Sequence, residues 1–173
     1  GLPRRAVTPE EMKVIEPTLH GQYYGGYFTE SDSTGDIHKF TFGLAKACER
    51  MGVKFLTEHE VLNVASDGQI ASVQVKHQGQ VETLSFYGIV VFAGVHGRRL
   101  AAQLGDRLNI YPVKGYSITV NMPDAASQAS APQVSLLGDE TKLVTSRLGE
   151  DRFRVAGTAE FNGIDLDIRA DRI

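Results

Sequence analysis

Hydrophobic and polar positions alternate with two different rhythms along this chain. From Ile37 to Met51 the apolar residues Phe40, Leu44, Cys48 and Met51 return at helical spacing, with Asp36 placed as an N-cap and Gly52 just beyond. This pattern predicts an amphipathic helix that packs on a sheet. Val53 to Thr57 then alternates as a strand, and Val61 to Val64 resumes it. Helix, glycine and strand in succession look like half of a βαβ unit, which implies a parallel sheet. Two alternating runs, Ile70 to Lys76 and Val81 to Phe86, meet at a turn containing Gly79 and predict a hairpin flanking that sheet. In the run GIVVFAGVHG, Gly88 to Gly97, Ile89 to Phe92 predicts a short buried strand that ends in small residues. It opens a helix over Arg99 to Leu104, stopped by Gly105.

The two ends have other textures. Thr8-Pro9-Glu10-Glu11 forms a capping box with proline at the first helical position, and Val7 and Met12 supply the hydrophobic staple. A short helix should run to about Ile15 and stop before Pro17. The following GQYYGGYFTESDSTGD predicts a loop with one short strand between Tyr23 and Phe28. After Tyr111-Pro112 the rhythm becomes that of strands: Tyr116 to Val120, Val134 to Leu137, Lys142 to Leu148 and Arg152 to Glu160, the last two joined across Gly149. Between them Asp124 to Gln133 predicts a surface loop. The fold class expected is mixed α/β and α+β: part of a βαβ sheet with a flanking hairpin over residues 1–107, joined to a mainly antiparallel sheet over 108–173.

Composition removes several classes of function. The chain has 42% hydrophobic and 23% charged residues and a net charge of −3, and its basic runs are no longer than Arg4-Arg5 and Arg98-Arg99. No electrostatic footprint for nucleic acid is present. Cys48 is the single cysteine, so no internal disulfide or zinc pair forms, and its place on the helix stripe predicts a buried structural thiol. His20, His38, His59, His77 and His96 never fall four apart on a common predicted helix, so no metal site is expected. ESDSTGD, Glu30 to Asp36, looks like the start of a calcium loop, but Ile37 and Gly43 stand where a glycine and a bidentate glutamate are needed. There is no GxSxG elbow, no GxGxxG and no P-loop, and no catalytic side chain is named. The chain lacks an apolar run long enough to span a membrane and a signal core, which makes a cytoplasmic location the default. It begins without methionine and stops at DLDIRADRI, which suggests a piece of a longer polypeptide.

Several positions invite chemistry. Ala93-Gly94 permits close approach of a ligand, or equally a tight strand-to-helix packing. Lys114-Gly115-Tyr116 opens a strand where glycine allows a bulge. Thr145 and Arg147 share one face of a strand, aimed either at a carboxylate in a cleft or at solvent.

Taken in order, STGDIHKF, VKFLTEHEV, VVFAGVHG, YPVKGYS, TSRLG and RVAGTAE resemble the FAD-dependent amine and amino-acid oxidoreductases of the D-amino-acid oxidase superfamily, nearest its D-amino-acid dehydrogenase branch. YPVKGYSIT and RVAGTAE are the specific parts. The resemblance covers nearly the whole chain and implies a partial FAD-binding domain over 1–107 and a partial substrate-binding domain over 108–173. The GxGxxG segment that holds the FAD pyrophosphate would then lie upstream of Gly1. Val61 matches a residue whose backbone meets the adenine, Ala93 and Gly94 match the turn beside the dinucleotide, and Gly157-Thr158 match the strand end nearest the isoalloxazine ring. Tyr116, Thr145 and Arg147 become substrate-side candidates, although the family's usual carboxylate-binding arginine lies nearer the C-terminus than this chain reaches. Val95-His96 stand where many relatives have an aromatic residue. The implied reaction is hydride transfer from a D-amino acid to flavin, giving a 2-oxo acid and ammonia. A dehydrogenase would pass the electrons to a quinone or respiratory carrier, which implies peripheral association with the inner face of a bacterial membrane. Glycine- or sarcosine-oxidase-like chemistry and a flavin-free binding module are the alternatives.

Overall fold

A computed structural model describes residues 2–172. The element order is β1 (Arg5–Val7), α1 (Pro9–Ile15), β2 (Gly26–Phe28), α2 (Ile37–Arg50), β3 (Glu60–Ser66), β4 (Ala71–His77), β5 (Gln80–Phe86), α3 (Gly97–Gln103), β6 (Lys114–Asn121), α4 (Ala125–Ser130), β7 (Leu136–Leu137), β8 (Val144–Arg147) and β9 (Arg152–Glu160). Residues 1–46, 114–161 and 165–173 gather into one compact unit, and 47–113 with 162–164 into another. The sheets described are all antiparallel: β1-β2, β3-β4-β5 and β6-β9-β8-β7.

In the first unit the capping box predicted for α1 forms. Thr8 Oγ1 accepts from the Glu11 N–H at 3.2 Å, and Glu11 Oε2 accepts from the Thr8 N–H at 2.9 Å. Both orphan donors are thereby satisfied. Glu16, at the C-cap of α1, is only 1% exposed. One of its oxygens accepts from the N–H and Oγ1 of Thr18, the other from the N–H groups of Gln133 and Val134 at 2.6 and 3.0 Å. A buried carboxylate is tolerable only when paired or fully hydrogen-bonded, and this one ties the first helix to the loop before β7.

The second unit has its core between the β3-β4-β5 sheet and α3. Val64, Val73, Val75 and Leu100 are buried, with Val61, Leu84, Ile89, Val91, Ala93 and Leu104 packed against them. The hairpin predicted around Gly79 is present as β4 and β5, where Gly79 has φ +83°. α3 ends as predicted, with Gly105 at φ +87° and the Asp106 N–H donating back to the Ala101 carbonyl.

Several element expectations are corrected. Residues 53–57 and 89–92 form no ladder, because a strand exists only against a partner and none lies alongside them among the described residues. Ile89 and Val91 still alternate inward onto the core while Val90 and Phe92 face out. α2 packs no residue to burial: Phe40, Leu44 and Met51 remain exposed and Cys48 is only half-buried. Among the described residues no sheet covers its stripe. β1, unpredicted, pairs with β2, and residues 124–133 contain α4, capped by Asp124 and Ser127 in a reciprocal box. That cap lay in a stretch of small residues whose lack of apolar periodicity concealed the helix.

Candidate functional site

β6 and β9 run antiparallel, and their register slips at one place. Lys114 lies opposite Glu160 and Tyr116 opposite Gly157, so two steps along β6 face three along β9. The one surplus residue on β9 makes a β-bulge around Thr158, whose φ is +56°. A bulge residue in this region is ordinarily glycine, and a β-branched side chain there is strained. Gly157 has a packing reason of its own: a Cβ added there would collide with the Leu143 side chain.

The bulge turns the end of β9 inward and buries Glu160, which is 6% exposed. Its Oε2 accepts from the Tyr116 hydroxyl at 2.8 Å and lies 3.4 Å from Lys114 Nζ. Its Oε1 is sealed from solvent without a hydrogen bond, 3.5 Å from an Arg169 guanidinium nitrogen. The Tyr116 hydroxyl, against the pull of burial, holds the carboxyl below the usual carboxylate range, with Lys114 and Arg169 adding to it. Lys114 Nζ also donates to the Asp167 carbonyl at 2.8 Å, and the Arg169 N–H donates to the Tyr116 oxygen at 3.4 Å. Residues 167–169 are thus tied to the bulge from both sides. Sequence reasoning singled out Lys114 and Tyr116 but missed Glu160 and Arg169. The available signal was a glutamate ending an otherwise apolar alternation in RVAGTAE.

Tyr116, Gly157, Thr145 and Arg147 share one face of this sheet, since Tyr116 pairs with Gly157, Thr145 with Val155 and Arg147 with Phe153. Thr145 Oγ1 accepts from the Leu136 N–H at 3.3 Å. The Arg147 guanidinium is committed to backbone carbonyls: Gln128 at 2.9 Å, Ala131 and Gly149 at 3.2 Å, and Glu150 at 3.4 Å. It straps the end of α4 to the β8–β9 turn and is not free to receive a carboxylate in this conformation. A shallow depression at the bulge is lined by Ser117, Val144, Arg154, Ala156 and Thr158 from the opposite face, and Tyr116 and Gly157 also border it. There Arg154 donates to Ser117 Oγ at 2.7 Å.

Val61, Ala93 and Gly94 belong to the other unit, where Val61 and Ala93 pack on the same core. The register of β3 slips between Val61 and Asn63, and a bulge in an edge strand leaves backbone groups without ladder partners. α3 supplies them from two residues one helical turn apart. Arg99 donates to the Val61 and Leu62 carbonyls, both at 2.9 Å, and Gln103 Oε1 accepts from the Val64 N–H at 2.9 Å. The i, i+4 spacing of Arg99 and Gln103 was the overlooked signal. Gly94 has φ +51° with open space where a Cβ would stand, so the turn is small and uncrowded. Separately, His59 and His77 stack across the β3–β4 pair, with ring centroids 4.2 Å apart. No cluster of three or more potential metal ligands occurs among the described residues.

A family model described as FAD dependent oxidoreductase matches residues 1–173. The chain belongs to this family. Among curated relatives, a D-amino acid dehydrogenase 3 from Mesorhizobium japonicum is 55% identical over 173 residues, which is 100% of this chain and 42% of the relative. A D-amino acid dehydrogenase from Dechloromonas aromatica is 42% identical, covering 99% of this chain and 41% of the relative. The chain therefore spans about two-fifths of the length of these relatives. In fold it is similar to glycine oxidase from Geobacillus kaustophilus, with TM-score 0.84 at 22% identity over 99% of this chain and 44% of that one. It is also similar to L-proline dehydrogenase from P.horikoshii, with TM-score 0.75 at 17% identity, covering 99% of this chain and 46% of that one. The mixed α/β class expected from sequence is the class observed, but the parallel sheet implied by the helix, glycine and strand succession is corrected: among the described residues every strand pairing is antiparallel.

Proposed function

We propose that the protein carrying this chain is an FAD-dependent dehydrogenase that oxidatively deaminates D-amino acids to 2-oxo acids and ammonia. The carrying observation is 55% identity along the whole chain to a relative named for that activity. When bound, FAD supplies the two-electron acceptor for the hydride on the substrate α-carbon. The chain's own share is positioning. Val61, held by Arg99, and the open turn at Ala93-Gly94 would border the adenine and dinucleotide. Gly157 and the strained Thr158 would border the flavin ring. Tyr116 and Thr145 would face the substrate, with Arg147 bracing the loop at α4 behind them. On this division residues 1–107 serve mainly the cofactor and 108–173 mainly the substrate.

On the same reading the electrons leave to a quinone or respiratory carrier, and the full-length enzyme associates peripherally with the inner face of the bacterial cytoplasmic membrane. The test is the anaerobic absorbance spectrum of the purified full-length protein before and after D-alanine, with L-alanine as control. Flavin bands bleached by the D-isomer alone support the proposal, and reoxidation by a quinone analogue rather than oxygen supports the acceptor. A flavin indifferent to both isomers points to another amine substrate, as in a glycine- or sarcosine-oxidase-like enzyme. Absence of flavin favours a binding module and overturns the reading.

A further inference from the structure

The Glu160 cluster is unusual among the buried polar groups described. Glu16 spends both oxygens on hydrogen bonds, whereas Glu160 leaves Oε1 sealed and unbonded while two cations stand near it. Such an imperfectly satisfied carboxylate is costly to bury, and it stands at the last pair of the β6–β9 ladder, opposite Lys114, just beyond the bulge. Its consequence is local and directional. The Tyr116 hydroxyl has one proton, and that proton is given to Glu160, while its oxygen accepts from the Arg169 backbone. Tyr116 therefore has no free hydroxyl proton to offer a ligand. What remains for a ligand is the ring, held in one place from its far end, with Lys114 Nζ 5.7 Å from the ring centroid.

We propose that Glu160 is a positioning residue for substrate: it anchors Tyr116 and Lys114 at the β6–β9 bulge, so that the tyrosine ring forms a fixed apolar wall against the amino-acid side chain. This rests on the reading that the protein oxidises an amino acid. Glu160 acts through Tyr116 and Lys114, so its loss should act on substrate binding and spare the chemical step.

The experiment uses the full-length holoenzyme and the variants Glu160→Gln, Tyr116→Phe and their combination. Glu160→Gln preserves size and one oxygen acceptor but removes the charge that holds Lys114 and Arg169. The expected result is a KM for D-alanine raised about ten-fold, a loss on the scale of one charge-assisted hydrogen bond, with kcat changed less than about two-fold. Propanoate, which has the carbon skeleton and carboxylate of alanine but no amine to oxidise, gives a readout free of turnover. Its dissociation constant, followed by the perturbation of the flavin spectrum, should weaken in parallel. The double variant should be no worse than the weaker-binding single one, because both break one linkage. Unchanged KM and propanoate affinity in Glu160→Gln, or losses that simply add in the double variant, overturn the proposal. If Glu160→Gln does not accumulate as folded holoenzyme, Tyr116→Phe decides: a raised KM at unchanged kcat supports it, and an unchanged KM overturns it. A wild-type flavin that no D-amino acid bleaches removes the proposed function itself, whereas a normal wild type with unaffected variants removes only the role of Glu160.

Discussion

Glu16 shows how much one side chain does here. Burial raises its pKa, but the bonds from Thr18, Val134 and Gln133 outweigh that and hold the carboxyl below its ordinary 4.5. A carboxyl depressed by folding stabilises the protein fully above the unfolded pKa and loses that contribution as pH falls through the lower folded value. Replacing Glu16 by alanine leaves the N–H groups of Gln133, Val134 and Thr18 without their acceptor. The expected cost is about 3 kcal/mol at pH 7. It should shrink as pH drops below about 4.5, where the carboxyl of the unfolded chain begins to take up a proton that the folded one still refuses, and be gone once pH has fallen through the lower folded value. Urea melts of wild type and Glu16→Ala between neutral and acid pH check this, and a gap independent of pH would show that the charge is immaterial. Thr18, two residues on, is the local half of this arrangement, but the sequence does not announce the other half, because Gln133 and Val134 lie more than a hundred residues away.

At the level of elements, short-range chemistry made much legible. The capping box of α1, the Asp36 cap of α2, the Gly79 hairpin and the glycine stop of α3 each depend on groups within a few residues, and each is present. Register slips were legible only where a glycine invited one: Gly115 allowed a bulge and the β6–β9 register slips there, whereas the slip in β3 and the residue that carries the strain arise from pairing between strands distant in sequence. The bulge at Thr158 is the clearest case. Of the four non-glycine residues with positive φ, namely Glu58, Gln78, Lys142 and Thr158, it alone is β-branched. Thr158→Gly should therefore stabilise the protein by about 1 kcal/mol through relief of left-handed strain. If Thr158 borders the flavin as proposed, the same variant should bind FAD more weakly. Thermal melting set beside FAD titration of the apoprotein would expose the trade, and weakened FAD binding without added stability would mean that the backbone is not strained there.

On the scale of the whole molecule, much apolar surface stays open. Phe40 and Leu44 on α2 and Phe92 beyond the core are among the residues responsible. With no phosphate-cradling glycine loop in these residues, the isolated 173-residue chain should show no saturable FAD binding in a fluorescence-quenching titration. Tight stoichiometric binding would mean that Val61, Ala93-Gly94 and Gly157-Thr158 suffice without one.

The sequence by itself determined the helix caps, the hairpin, the antiparallel character of the second half and the family, because these follow from neighbouring residues or from ordered local motifs. Only the tertiary structure decided that α2 and residues 53–57 and 89–92 stand without sheet partners. It also decided that Arg147 is spent on carbonyls and that Lys114, Tyr116, Glu160 and Arg169 meet at one bulge. Those outcomes depend on which distant groups come within about 3 Å of one another, and spacing along the chain does not fix that distance.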